Sequence, residues 1–192
     1  MLTEWGRRSF KPFLESIATV FRLLHLTPDT VTVLGVVLSL GVAYLVITNR
    51  IFYAGLLYIL AGGADAVDGT LARQLGIRSK FGAFLDSTLD RIGESIVSVS
   101  LGYWAALNGN TLGVLLAFTA LITSLLVSYT RARAEGLGLE CKVGIGTRVE
   151  RYIIMAACLL LNLPVYGLAL ITLLAGITVI QRIVAVWQQT RV

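Results

Sequence analysis

The chain has 192 residues, 56% of them hydrophobic and 14% charged, with a formal net charge of +5 and a mean hydropathy of +0.81. Such a composition excludes an ordinary globular domain and predicts an all-α integral membrane protein. Its basic residues flank apolar runs instead of lining one patch, which excludes a nucleic-acid partner and favours membrane lipids and phosphorylated substrates.

At the amino end, Phe10, Phe13, Leu14, Ile17, Phe21 and Leu24 recur at helical spacing. Arg7, Arg8, Lys11, Glu15 and Arg22 fill the opposite side. This pattern predicts an amphipathic interfacial helix over 1–26, followed by a six-helix transmembrane domain over 27–192. No cleavable signal peptide is expected. Thr27-Pro28-Asp29 ends the amphipathic segment and opens the first span, where proline suits a helix start.

Apolar runs place six spans at 30–48, 52–75, 82–107, 111–134, 149–164 and 166–187. Between them lie turn signals at Asn49-Arg50, Gly76, Asn108-Gly109-Asn110, the glycine-rich stretch 136–146, and Asn162 with Pro164. Nearly all Lys and Arg fall on the side of the termini, so both termini are expected in the cytoplasm. The protein is then a multi-pass protein of the cell (plasma) membrane with its active site facing the cytoplasm. Trp5, Trp104 and Trp187 near span ends suit interfacial anchors. Cys141 is expected to face solvent and Cys158 to be buried, both as free thiols. Arg91 and Glu94, three apart, are expected to pair with each other.

The second and third spans carry the chemistry. A carboxylate at the bilayer centre costs roughly 2.5–3.5 kcal/mol, yet Asp65, Asp68, Asp86 and Asp90 lie inside these spans. On a helix, Asp68, Gly69 and Ala72 fall within about 60° of Asp65, with Arg73 at the edge of that stripe. Gly82, Asp86, Asp90 and Gly93 form a second stripe. The short connection makes the two spans antiparallel neighbours whose stripes face each other.

Four facing carboxylates cannot all ionise without a counter-charge. Oxygen donors without His or Cys favour a hard cation, Mg²⁺ first and Mn²⁺ or Ca²⁺ as rivals, and four acids suit two ions clamping a phosphoryl group. Gly69 and Ala72 either allow close helix packing or leave room for a flat group. A cation transporter or channel is the alternative from another class, since intramembrane acids also mark ion paths.

The run Asp65-x2-Asp68-Gly69-x2-Ala72-Arg73-x8-Gly82-x3-Asp86-x3-Asp90 resembles, position for position, the motif of the CDP-alcohol phosphotransferase family. The resemblance implies transfer of a phosphatidyl-type group from a CDP-linked lipid to an alcohol, with release of CMP. It implies that Asp65, Asp68, Asp86 and Asp90 hold metal and that Asp90 is also the general base. Gly69, Ala72, Arg73, Ser79 and Gly82 would contact the CDP-lipid, with Asp29, Thr30, Val31 and Thr32 lining the nucleotide's other side. A homodimer is implied as well.

Guanidinium groups bind phosphate bidentately, and Arg131, Arg133, Lys142, Arg148, Arg151 and Arg182 gather towards the cytoplasmic side. Basic residues at such helix ends are also expected from topology alone. The stretches 128–135 and 148–151 are similar to those of the family's bacterial phosphatidylinositol-phosphate synthases, with Arg131 in place of the usual Lys and Val149 in place of Pro. The resemblance implies inositol phosphate as acceptor, with its phosphate held by Arg131, Arg133, Arg148, Arg151 and Arg182. Glycerol 3-phosphate is the alternative acceptor, giving phosphatidylglycerophosphate.

Overall fold

A computed structural model describes Thr19, residues 27–75 and residues 79–191, with the side chains at 64–69 and 72–74 excepted. The predicted amphipathic helix over 1–26 lies outside this description apart from Thr19, which is helical. The described residues form α1 (Pro28–Ile47), α2 (Ile51–Leu75), α3 (Lys80–Leu107), α4 (Thr111–Glu135), α5 (Arg148–Leu160) and α6 (Pro164–Thr190). Six helices thus follow the six apolar runs.

Local chemistry sets their ends. Thr27 caps α1 by accepting the Thr30 N–H at 3.3 Å, Pro28 opens its first turn and Asp29 faces the helix dipole. Ser79 caps α3 by accepting the Gly82 N–H at 2.8 Å, and Asn110 caps α4 by accepting from Gly113 at 2.8 Å. Asn49 and Asn162 end their turns with φ of 60° and 56°, the left-handed region that asparagine tolerates better than most residues.

α1, α4 and α6 are long and apolar enough to cross a membrane. α5 has 13 residues, about 20 Å at 1.5 Å per residue, against a hydrocarbon core of about 30 Å. Large apolar side chains such as Leu40, Leu60, Phe84, Leu112 and Ile180 face outward. Those side chains on helices of this length mark a membrane protein, whose exterior needs no polar cover.

Packing runs as a closed ring. α1 packs on α2 and α3, α3 on α4, α4 on α6, α6 on α5, and α5 on α2. The connection expected to make the second and third spans neighbours, 76–78, lies outside the described residues, and α1 packs against both helices. Every helix contributes to one core, with Val42 and Val46, Ile51 and Ala54, Val97 and Leu101, Ala117 and Ala120, Met155 and Leu159, and Leu168 and Ile171. At that half of the bundle Asn49 accepts a hydrogen bond from the Trp104 indole at 2.8 Å. The opposite half, where Asp29 approaches Gly82, holds the cavity.

The long loop before α5 is stitched to α6. Gly146 N–H donates to Thr178 at 2.8 Å, Ile145 N–H to Gln181 at 3.3 Å, and Gln189 donates to the Glu140 carbonyl at 2.7 Å. Gly146 has no space for a side chain, since a Cβ there would meet the Leu174 backbone at 2.7 Å. Cys141, expected at the surface, is buried in this tethered loop, and Cys158 is only half-buried. These bonds hold the start of α5, and so its arginines, at a defined depth.

Candidate active site

Between α1, α2, α3 and α5 lies a cavity of about 70 Å³. Its walls include Thr32, Gly35 and Ser39 of α1, Tyr58 and Gly62 of α2, Asp90, Gly93 and Glu94 of α3, and Arg148 and Tyr152 of α5. The two acidic helices therefore share a cavity, with α1 and α5 closing its sides. Gly93 lets α1 come close: a Cβ there would lie 3.0 Å from Ser39 Oγ.

Asp90 sits at this cavity with its side chain 12% exposed, and its Oδ1 accepts from Arg148 Nη2 at 2.5 Å. Arg148 itself stays 46% exposed. Asp86 lies one turn towards the start of α3, and its Oδ1 is withdrawn from solvent. Near the starts of α1 and α3, Gly82 lies beside Asp29, whose Oδ1 would be 3.3 Å from a Cβ at position 82. Ser79 spends its hydroxyl on the cap. Thr30 is exposed, Thr32 donates to the Pro28 carbonyl at 3.0 Å, and Val31 is fully buried, so its side chain belongs to the packing.

Asp65, Asp68, Gly69, Ala72 and Arg73 lie within α2, so helical register puts the first four on one side of it. Their side chains are outside the described set. Among the described residues no three acid, His or Cys side chains converge on a metal position. The described acids supply oxygen donors, with the Asp86 oxygen shielded from water, and this donor chemistry fits a hard divalent cation.

The predicted acceptor arginines separate. Arg148 lines the cavity. Arg151, 2% exposed, makes a bidentate pair with Glu94 at 2.9 and 3.0 Å and donates to the Gly146 carbonyl at 3.1 Å. Arg182, 4% exposed, donates through Nε to the Val143 carbonyl at 3.0 Å and through Nη1 to the Val127 carbonyl. Arg131 pairs with Glu135 at 2.8 Å on an exposed surface, and Arg133 is exposed near the end of α4.

The expected Arg91–Glu94 pair does not form. Glu94 turns to Arg151, and Arg91 donates to the Ser87 carbonyl on its own helix. Sequence reasoning also passed over Tyr58 and Tyr152, whose rings stack at 4.8 Å on the cavity wall. A signal was present: Glu94 follows Asp90 by four residues, as Tyr152 follows Arg148, so each repeats its helix face.

A cavity walled by acids and an arginine, set among lipid-facing helices, is the architecture of an intramembrane enzyme. The chain belongs to the CDP-alcohol phosphatidyltransferase family, whose pattern matches residues 25–187. It is a transferase, which sets aside the transporter alternative. It is 34% identical over 202 residues to the phosphatidylinositol phosphate synthase of Cutibacterium acnes, covering 96% of this chain and 97% of that one. To the archaetidylinositol phosphate synthase of Pyrococcus horikoshii it is 37% identical over 178 residues, covering 92% of each. The fold is similar to the Mycobacterium tuberculosis phosphatidylinositol phosphate synthase crystallised with CDP-DAG, with a TM-score of 0.83, 32% identity, and 91% of this chain and 93% of that chain covered. That mycobacterial enzyme has also been solved with manganese and citrate, at a TM-score of 0.84, 32% identity, and 91% and 88% coverage.

Proposed function

We propose that the chain transfers a phosphatidyl-type group from CDP-diacylglycerol, or its archaeal ether counterpart, to inositol phosphate, forming phosphatidylinositol phosphate and CMP. The observation that carries this reading is the Arg148–Asp90 contact at 2.5 Å. It places a phosphate-binding fork against a carboxylate suited to take a proton, so one small phosphorylated alcohol engages both. The names of the relatives support inositol phosphate as that alcohol.

In this reading Asp65, Asp68, Asp86 and Asp90 hold Mg²⁺, two ions by the motif, with Mn²⁺ as a substitute. When bound, the metal supplies positive charge against the diphosphate and the departing CMP. Gly69, Ala72, Arg73, Ser79 and Gly82 seat the CDP group, with Asp29 to Thr32 opposite. Asp90 accepts the proton of the attacking hydroxyl, and Arg148 holds the acceptor's phosphate. Arg151 and Arg182 support that site from behind, through Glu94, Gly146 and the tethered loop, while Arg131 and Arg133 add positive potential near its entrance. The site and both termini face the cytoplasm of a plasma-membrane protein with six crossings, and the chain works as a homodimer.

An acceptor panel with purified protein tests the reading. CMP release from CDP-diacylglycerol is expected with inositol phosphate and at background with unphosphorylated inositol. Release with glycerol 3-phosphate alone would overturn the acceptor. Protection of cysteines engineered at both termini from an impermeant reagent in intact cells checks the orientation, and the mass of the detergent-purified protein checks the dimer.

A further inference from the structure

The contact between Arg148 and Asp90 has a second consequence. The cavity beside them, about 70 Å³, is large enough to admit water. Its walls offer the oxygens of Asp90, Glu94, Tyr58 and Thr32 as partners. Water is itself a hydroxyl nucleophile, so an activated CDP-lipid is at risk of hydrolysis in this cavity. The carboxylate best placed to activate such a water, Asp90, has its Oδ1 engaged by the Arg148 guanidinium at 2.5 Å.

We propose that Arg148 is a specificity-determining latch: its pairing with Asp90 restrains the base until a phosphate dianion draws the guanidinium away. The inference rests on the transferase reading above and adds how the enzyme distinguishes a phosphorylated alcohol from water. A phosphate carries more charge than a carboxylate and takes the guanidinium fork bidentately, so it competes for Arg148 on favourable terms. Arg148 remains half-exposed towards the cavity, while Asp90 is nearly enclosed. The guanidinium is therefore the partner that an incoming anion reaches first. Arg151 is held on both sides of its fork by Glu94 and stays in place during the exchange.

The reaction so restrained balances without a co-reactant. Water oxygen bonds to the lipid-bearing phosphorus, a water proton passes to Asp90, and the phosphorus–oxygen bond to CMP breaks with its electron pair leaving on CMP. The products are CMP and the lipid phosphate monoester. Arg148 here contacts the base and the acceptor anion, so the test separates its binding from its effect on water.

Methyl phosphate, a dianion with no hydroxyl to transfer to, is the probe. In metal-free protein without lipid, calorimetric titration is expected to show Asp90→Asn binding methyl phosphate about tenfold more tightly than the unaltered chain, because the competing carboxylate is gone. Equal affinity overturns the latch. With CDP-diacylglycerol and a divalent cation but no acceptor, methyl phosphate is expected to raise CMP release about tenfold, with the lipid phosphate monoester as co-product. Arg148→Gln is expected to hydrolyse without methyl phosphate and to gain nothing from it. Unstimulated hydrolysis in the unaltered chain, or intact stimulation in Arg148→Gln, also overturns the proposal. Inositol phosphate transfer is measured in the same preparation: if transfer occurs while methyl phosphate is inert, only the latch falls. If no phosphorylated alcohol is accepted, the transferase reading falls first.

Discussion

Tyr152 of α5 packs the hydroxyl end of its ring against Gly62 of α2, so close that a Cβ at position 62 would clash with the ring. The tyrosine hydroxyl shares its hydrogen between the carbonyls of Tyr58 and Ile59, each at 3.0 Å. Gly62 stands three residues before Asp65, and Tyr152 four residues after Arg148. This contact therefore sets the spacing between the helix that carries Asp65 and Asp68 and the helix that carries Arg148.

Gly62→Ala is expected to force these helices apart, costing about 1–3 kcal/mol of stability as overpacked substitutions do and lowering turnover. Gly176→Ala, at a helical position with nothing within 4 Å of the added carbon, serves as the control. Thermal unfolding in detergent and CMP release check both. Loss of the same size in the two variants would detach the effect from Tyr152.

Glu94→Gln leaves the Arg151 guanidinium buried without its carboxylate. Breaking such a pair from one side costs about 3–5 kcal/mol, so this variant is expected to lose much of its folded yield. Replacing both partners together, with Glu94→Leu and Arg151→Met, is expected to recover part of the unfolding temperature. A single variant as stable as the parent would mean that the pair contributes little.

Arg182→Ala is expected to remove two charge-assisted hydrogen bonds, from the buried guanidinium to the Val127 and Val143 carbonyls, each worth about 1.5–3 kcal/mol. A lower unfolding temperature together with a raised acceptor KM is the predicted signature. Arg182→Lys should fail to restore either, because one ammonium cannot span both carbonyls as the planar fork does. A raised KM at unchanged stability would instead mean direct contact with the acceptor's phosphate.

In the proposed reading, Asp90→Asn removes the proton acceptor but only one of the four carboxylates that would hold the metal. It is expected to abolish turnover while CDP-lipid binding stays measurable by equilibrium dialysis. Turnover within about tenfold of the parent would refute the base role.

Chelation of divalent cations is expected to stop CMP release, and Mg²⁺ or Mn²⁺ to restore it. Asp86→Asn should need more cation for the same rate, since it loses one oxygen donor. Activity indifferent to chelation would remove the acids from metal binding.

The sequence by itself determined the six helices, because apolar runs of this length have their backbone polar groups satisfied only when helical. It also determined the acid motif, whose spacing is local and survives any arrangement of neighbours. Tertiary structure alone decided which charges serve the cavity and which serve the scaffold. Glu94 looked like the partner of Arg91 from three residues away, yet it meets Arg151 across 57 positions of chain. Arg148 and Arg151 share a helix face by spacing, but Arg148 opens into the cavity and Arg151 is enclosed. Cys141 sits in a loop that reads as exposed until α6 folds over it. Each of these outcomes depends on which helices become neighbours, and the ring order follows from long-range packing that no local periodicity records.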